Sequence, residues 1–172
     1  MNAGALTRGE ALAGVAGIAL IIISVIPYWG SAGLDLGRAE EPLGFEPQGL
    51  GTDWFSLWES GVFGILPKLA VLIGLLTVVM VLVRATGAAP TPPAVTYLAL
   101  GVAATLLLLM AVAVGPSVED LGFAELRVEM TRGPLLYAGL VLCALMLFGG
   151  WLHLQSEDSN DFGNRTAAPP PM

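Results

Sequence analysis

The side chain with the clearest potential for chemistry is Lys68, which follows Pro67 near the start of a long apolar run. An ionisable group inside a membrane segment is a functional candidate by default, whereas a lysine close to the end of a span can extend its ammonium group to the interface. Glu59 lies shortly before the same run and offers a partner of opposite charge. Two interpretations of Lys68 therefore remain open: a structural lysine that pairs or reaches the interface, or part of an ion pathway.

The one histidine and the one cysteine do not complete a cofactor site in the sequence. A haem held by two imidazoles needs a second histidine, and a zinc site needs several Cys or His ligands. His153 ends an apolar run with only Glu157 and Asp158 as neighbouring acids, and Cys143 lies in the middle of that run. We therefore expect a solvated His153 at the membrane interface, a packing role for Cys143, and no cofactor or metal.

Ten of the fourteen acidic residues lie in two polar segments, 30–61 and 116–133. Adjacent pairs such as Glu40-Glu41 lack the spacing of a dedicated calcium loop. They predict a solvated acidic surface, with divalent-cation binding as the alternative. The motifs G-x-S-x-G and H-E-x-x-H and a phosphate-binding loop are absent from the sequence, so we expect a protein that is not an enzyme.

The composition places these residues in a membrane protein. Hydrophobic residues make up 55% and charged residues 12% of the chain, and the mean hydropathy is +0.77. A soluble domain carries about 25% charged residues. The net charge of −7 excludes a basic nucleic-acid-binding surface, and a single cysteine excludes an intrachain disulfide.

Four apolar runs have about the 20 residues that cross a hydrocarbon core, and in lipid such runs must be helices. They cover residues 11–29, 62–83, 94–115 and 134–154. A secretory signal peptide is the alternative for the first run, because Arg8 precedes it and small residues follow it. The sequence predicts an all-α membrane protein: a four-transmembrane-helix bundle over residues 1–154, followed by a disordered cytoplasmic tail over residues 155–172.

An even number of spans places both long loops, 30–61 and 116–133, on one side of the membrane. Residues 124–131 alternate between apolar and polar side chains, and residues 32–37 do so more weakly, which predicts strands. We expect the two loops to form a small β-containing extracytoplasmic cap on the ends of the helices. Arg8 and Arg84 lie at span ends and favour cytoplasmic termini.

Aromatic residues mark the membrane interface in the sequence. Trp54, Leu57 and Trp58 share one face if residues 51–61 form a short helix, and tryptophan prefers the interface. An interfacial helix is therefore predicted, with a docking patch for a partner or lipid as the alternative. Trp29, at the end of the first run, is expected at the same depth. The candidate contact residues are Trp54, Phe55, Trp58, Glu59 and Lys68.

Small residues recur at four-residue spacing on two of the runs. They are Gly9, Ala13 and Gly17 on the first run and Gly139 and Cys143 on the fourth. Such stripes allow helix backbones to approach closely in lipid. They predict helix packing within the bundle or, as the alternative, a seam with another subunit.

The chain resembles small four-helix transmembrane proteins of high-GC Gram-positive bacteria. The resemblance rests on Gly9-Glu10 before the first run, Pro27-Tyr28-Trp29 at its end, a tryptophan-containing segment before the second run, and Arg132-Gly133-Pro134 at the start of the fourth. It implies a location in the bacterial cytoplasmic (inner) membrane, but no activity and no catalytic residues. The layout is also similar to that of claudin-like tetraspan proteins, although the loops lack the cysteines of the claudin signature.

Two classes of function follow from these observations. The first is a non-catalytic structural or accessory subunit, which contacts the lipid bilayer and a membrane-protein partner or a second copy through its acidic outer cap. The alternative is a small transporter or channel-like protein that uses Lys68 and acidic loop residues. No nucleic acid is expected as a partner.

Overall fold

The computed structural model describes residues 6–34, 53–58, 64–87, 92–114 and 128–166. Its helices are α1 (Arg8–Ser24), α2 (Ile65–Thr86), α3 (Ala94–Val114) and α4 (Pro134–Thr166), and its strands are β1 (Gly30–Leu34), β2 (Asp53–Phe55) and β3 (Val128–Arg132). Over these residues the protein is mostly helical, with one small sheet.

Three helices are long and apolar enough to cross a membrane: α2 with 22 residues, α3 with 21, and the first 24 residues of α4. Helix α1 has 17 residues and ends before the predicted run does. The residue before a proline is biased away from helical backbone, so Pro27 ends the helix upstream of Trp29. The first predicted span therefore corresponds to a helix followed by a turn and a bent segment.

The helices form a bundle in which each packs against its two neighbours in the cyclic order α1, α2, α3, α4. Glycines lie at the closest approaches. A Cβ added to Gly101 of α3 would lie 2.5 Å from the Cα of Leu147 on α4, and one added to Gly149 of α4 would lie 2.7 Å from the carbonyl oxygen of Gly9 on α1. Small residues at these points let the backbones touch, which is how helices associate without a hydrophobic drive in lipid.

The bundle interior is filled by large apolar side chains, among which Trp29 is fully buried. Its indole N–H donates a hydrogen bond of 2.7 Å to the carbonyl oxygen of Ile23, and its ring lies against Gly139 of α4. That Trp29 lies at the depth of the membrane interface stays a prediction, but its ring is covered by the protein and is not exposed there. Because the chain turns inward after α1, the ring enters the core, and the local carbonyl satisfies its one polar group.

The sheet has the order β2-β1-β3, and both pairings are antiparallel. Ser31 in the central strand is opposite Trp54 on one side and Thr131 on the other. The amide of Trp29 donates to the carbonyl of Phe55 at 3.1 Å, and the amide of Gly133 donates to the carbonyl of Trp29 at 2.8 Å. These bonds join the sheet to the end of α1 and the start of α4.

The predicted sheet between the two loops is confirmed, because β1 and β3 come from the two alternating segments. Residues 35–37 and 124–127 of those segments lie outside the described residues. Most of the loop acids also lie outside the described part of the chain.

The helix predicted over residues 51–61 is wrong within the described residues, because Asp53–Phe55 is strand β2 and a turn follows at Leu57 and Trp58. Pairing with β1 gives hydrogen-bond partners to the backbone N–H and C=O groups of this short segment. A single helical turn would leave more of these groups without partners. Leu57 is fully buried, whereas Trp54 and Trp58 are 40% and 44% exposed, so the three side chains do not share a face.

The tail prediction also differs from the structure, since α4 continues to Thr166. The stretch that follows His153 contains no proline before residue 169. It continues a helix that is already formed, so it does not need the nucleation step that makes an isolated short helix unstable. Residues 167–172 lie outside the described residues.

Candidate functional site

Lys68 lies in the first turns of α2 and is half-buried. No described residue forms an ion pair with it. Glu59, its predicted partner, lies outside the described residues. The pairing of Lys68 with Glu59 therefore stays a prediction.

The small residues predicted to pack helices all face other parts of the same bundle. A Cβ on Gly9 would lie 2.4 Å from the carbonyl oxygen of Gly149, and one on Gly17 would lie 2.9 Å from the carbonyl oxygen of Gly74. Ala13 faces the same part of α4 as Gly9 does, since a Cβ on Gly149 would lie 2.8 Å from its amide nitrogen.

On α4 the corresponding positions also face inward. A Cβ on Gly139 would lie 3.0 Å from the indole of Trp29. Cys143 is fully buried in the core. Gly139 thus packs against the segment that follows α1 and against Leu108 of α3, and Cys143 lies in the core. A seam with another subunit stays the untested alternative.

Three aromatic residues beside the sheet form an exposed group, here called the aromatic patch: Tyr28, Trp54 and Trp58. The rings of Tyr28 and Trp54 lie 5.0 Å apart, and the indole N–H of Trp58 donates to the hydroxyl of Ser24 at 3.0 Å. Their exposed fractions are 48%, 40% and 44%. Phe55, between them in sequence, is half-buried against the core.

Tyr28 has a φ of 101°, a backbone conformation that is strained for any residue with a side chain. The amide of Leu135 donates to its carbonyl at 3.3 Å. The start of α4 and the ring contact with Trp54 thus hold Tyr28 in place, and the patch is fixed by hydrogen bonds and packing.

At the opposite end of the bundle, all four helices contribute to a second group, which the sequence analysis did not find. The start of α1, the end of α2, the start of α3 and the far part of α4 meet there. We call this group the polar cluster, and it consists of Thr7, Glu10, Arg84, Tyr97, His153 and Glu157.

Glu10 is the buried centre of the polar cluster, with no exposed surface. Its carboxylate accepts from the amide of Thr7 at 2.8 Å and from the hydroxyl of Thr7 at 3.0 Å. Thr7 and Glu10 together form a capping box at the start of α1. The same carboxylate forms an ion pair with Nη1 of Arg84, which is 15% exposed. Charge-assisted bonds of this kind compensate for the cost of burying a carboxylate.

His153 links Glu10, Thr7 and Arg84 through both ring nitrogens. Its Nδ1 lies 3.0 Å from the Thr7 hydroxyl, and its Nε2 lies 3.2 Å from Nη1 of Arg84. A guanidinium group only donates, so Nε2 accepts from Arg84 and the proton of a neutral ring is on Nδ1. His153 then donates to Thr7, whose hydroxyl donates to Glu10. The prediction of a solvated His153 is wrong: the side chain is 1% exposed, because α1 and α2 cover it.

Tyr97 and Glu157 complete the cluster. The ring of Tyr97 meets the imidazole of His153 edge-on, with centroids 5.4 Å apart. Its hydroxyl is buried and has no hydrogen-bond partner among the described residues. Glu157 is 47% exposed; its Oε1 lies 3.7 Å from Nε2 of His153, and its Oε2 accepts from the amide of Ala94 at 3.3 Å.

The chemistry open to this cluster is narrow. Within the described residues, no group of three His, Cys, Asp or Glu side chains is arranged to hold a metal ion. Arg84 occupies the space between His153 and Glu10 where a metal cation would have to lie. The arrangement can tie the four helices together.

Part of this cluster had a signal in the sequence. The pattern Thr7-x-x-Glu10 before an apolar run is a capping-box signature, which predicts the local contact between the two residues. The contacts with Arg84 and His153 join residues 69 or more positions apart and depend on how the helices pack. No local pattern encodes them.

Comparison of the chain with models of known protein families, with curated proteins and with solved structures found no match. The resemblance to small four-helix membrane proteins of high-GC Gram-positive bacteria therefore stays a prediction.

Proposed function

We propose that the protein is a four-span integral membrane protein of the bacterial cytoplasmic membrane that acts as a non-catalytic structural or accessory subunit. Three helices have the length and apolarity of spans, and α1 is the proposed fourth. Helix α1 packs along α2 and α4 and exposes large apolar side chains such as Val15, Ile18 and Ile22. An apolar outer surface on a packed helix is typical of contact with lipid.

In this proposal the termini are cytoplasmic and the sheet faces outward. Arg8 and Arg84 lie at the polar-cluster end of the bundle, and the positive-inside rule favours the cytoplasm for that end. The aromatic patch and the acidic loops then lie on the outer side. This orientation makes the sheet end the accessible surface for an extracytoplasmic partner.

The observation that carries the proposed function is the exposure of three large aromatic side chains that are held in fixed positions. Trp58 is hydrogen-bonded to Ser24, and the ring of Tyr28 contacts the ring of Trp54 at a tilt of 47°. Rigid, exposed Trp and Tyr residues are typical of recognition surfaces, because their burial by a partner costs little conformational freedom. The alternative role for the same rings is to anchor the sheet in the lipid interface.

Transport receives less support from the geometry. Between the polar cluster and the sheet, the core consists of packed apolar residues such as Leu20, Leu108 and Met146. The buried hydroxyls of Ser24 and Thr77 donate to carbonyls of their own helices. Among the described residues these groups do not form a polar path along the bundle.

A photo-crosslinking amino acid at position 54 or 58, introduced in the native membrane, tests the proposed function. Position 151 is the matched control, because Trp151 is similarly exposed, at 43%, and lies near the other end of the bundle. We expect positions 54 and 58 to yield a discrete adduct with one membrane protein, and position 151 to yield none. Adducts with lipid alone at all three positions would leave the patch as a membrane anchor.

A further inference from the structure

Nε2 of His153 faces one hydrogen-bond donor and two possible acceptors. In the neutral ring, Nε2 accepts from Arg84 at 3.2 Å. Two carboxylate oxygens lie only slightly further from the same nitrogen: Oε1 of Glu10 at 3.5 Å and Oε1 of Glu157 at 3.7 Å. The imidazole therefore has an acceptor ready for a second ring proton, although it is almost entirely buried.

We propose that the polar cluster is a binding site for a single proton, taken up at Nε2 of His153 and sensed at the start of α3 through Glu157. Histidine is the side chain whose charge ordinarily changes near neutral pH, and this chain has only one. The proposal is independent of the proposed function, since it concerns the opposite end of the bundle.

The charged and titratable groups that face His153 come from every helix of the bundle. Glu10 is on α1, Arg84 on α2, Tyr97 on α3 and Glu157 on α4. With a neutral imidazole, the two carboxylates and one guanidinium carry a formal charge of −1. One added proton makes the cluster neutral, so that uptake leaves no unpaired charge in the bundle.

The half-exposed Glu157 provides the route for the proton. Its carboxylate contacts water and lies 3.7 Å from Nε2, whereas the ring itself is 1% exposed. The proton comes from the aqueous phase and forms the Nε2–H bond. The lone pair of Nε2 is then no longer available to Arg84, which keeps its bond to Glu10. The hydrogen bond from Arg84 to Nε2 is therefore lost, and no covalent bond other than Nε2–H is made or broken.

Protonation of His153 changes the contacts of Glu157, because the carboxylate of Glu157 lies between two partners. Oε1 faces the imidazole at 3.7 Å, and Oε2 accepts from the amide of Ala94 at a long 3.3 Å. A charge-assisted bond from Nε2–H would shorten the first distance to about 2.8 Å. The carboxylate then moves toward His153, and its bond to the first residue of α3 weakens. Proton binding in the cluster is thereby transmitted to the start of α3.

Nuclear magnetic resonance of the full chain in lipid nanodiscs, with ¹⁵N-labelled histidine and alanine, tests this proposal. Because there is one histidine, the ring nitrogens give one pair of signals. We expect the neutral ring to carry its proton on Nδ1, and both nitrogens to be protonated at lower pH. The amide signal of Ala94 should shift with the same midpoint as the ring signals. A ring that keeps one tautomer over the whole range in which the protein stays folded would overturn the proposal.

Three variants separate proton binding from a general effect of pH on the fold. Glu157→Gln keeps an acceptor for the Ala94 amide but lacks the carboxylate, so the Ala94 signal should no longer follow the ring. Asp158→Asn removes the same charge at the next position in the sequence and should preserve the coupling. His153→Gln should make the Ala94 signal independent of pH. An Ala94 shift that persists in Glu157→Gln or in His153→Gln would contradict the proposed coupling.

Discussion

Nε2 of His153 lies 3.2 Å from Nη1 of Arg84, although the two residues belong to different helices and are separated by 69 positions. A guanidinium group only donates hydrogen bonds, so the imidazole nitrogen is the acceptor in this contact. The contact is possible because Glu10 neutralises Arg84 at the same point. The three side chains thus depend on one another. The losses in the free energy of unfolding caused by their single substitutions should therefore not add up to the loss caused by combined substitutions.

Breaking the buried ion pair is expected to cost stability. Glu10→Gln and Arg84→Met each leave one charge without its partner in the bundle, and such a change costs about 3–5 kcal/mol. The double variant should be more stable than the sum of the two losses predicts. Thermal unfolding in detergent, followed by circular dichroism, measures both effects.

Arg8→Ala is the control for the ion-pair variants, because Arg8 is exposed on the first turn of α1. It should change the unfolding temperature little. Equal losses in Arg8→Ala and Arg84→Met would indicate that the buried pair contributes nothing specific.

Tyr97→Phe should stabilise the protein or leave its stability unchanged. The phenol hydroxyl is buried without a hydrogen-bond partner among the described residues, and such a group costs about 1–3 kcal/mol relative to an apolar one. The ring packing against His153 is retained in the variant. A clear fall in the unfolding temperature would contradict this prediction and would show that the hydroxyl has a partner.

The sequence predicts the helices and strands better than it predicts the sites. Uninterrupted apolar runs identify α2, α3 and the first part of α4, and period-two alternation identifies β3, because both signals are local. The burial of Trp29 and of His153 is not predicted by the sequence, for one reason. Each ends an apolar run, where an interfacial position is the ordinary expectation, and each is instead covered by a neighbouring helix or by an inward turn of the chain.

Gly9 lies so close to the backbone of α4 that substitution by alanine should lower the stability of the protein. In Gly9→Ala the new Cβ would lie 2.4 Å from the carbonyl oxygen of Gly149 and 2.5 Å from the amide nitrogen of His153. These are backbone atoms, so α1 and α4 would have to separate, at a cost of about 1–3 kcal/mol. Gly64→Ala is the matched control, since no atom lies within 4 Å of its added Cβ. Unfolding temperatures that fall equally in both variants would contradict the proposed close contact.

Lys68→Met tests the structural interpretation of the half-buried lysine. A lysine that merely extends its ammonium group to the interface should be replaceable at a cost of at most about 1 kcal/mol, because charges near the ends of spans are tolerated. The variant should be expressed and should unfold like the original protein. Loss of an ion flux in proteoliposomes, with the fold intact, would instead support the transport alternative.

The orientation of the bundle can be tested with one cysteine at each end. Thr131 in β3 and Arg8 in α1 are both exposed, so Thr131→Cys and Arg8→Cys present accessible thiols, whereas Cys143 is buried and serves as the internal background. If the termini are cytoplasmic, an impermeant maleimide added to intact cells should label position 131 and should reach position 8 only after lysis. This expectation depends on Arg8 and Arg84 lying at the same end of the bundle, where the positive-inside rule acts on both.

The reverse labelling pattern would place the aromatic patch in the cytoplasm. Labelling of both positions in intact cells would contradict the prediction that they lie on opposite sides of a membrane.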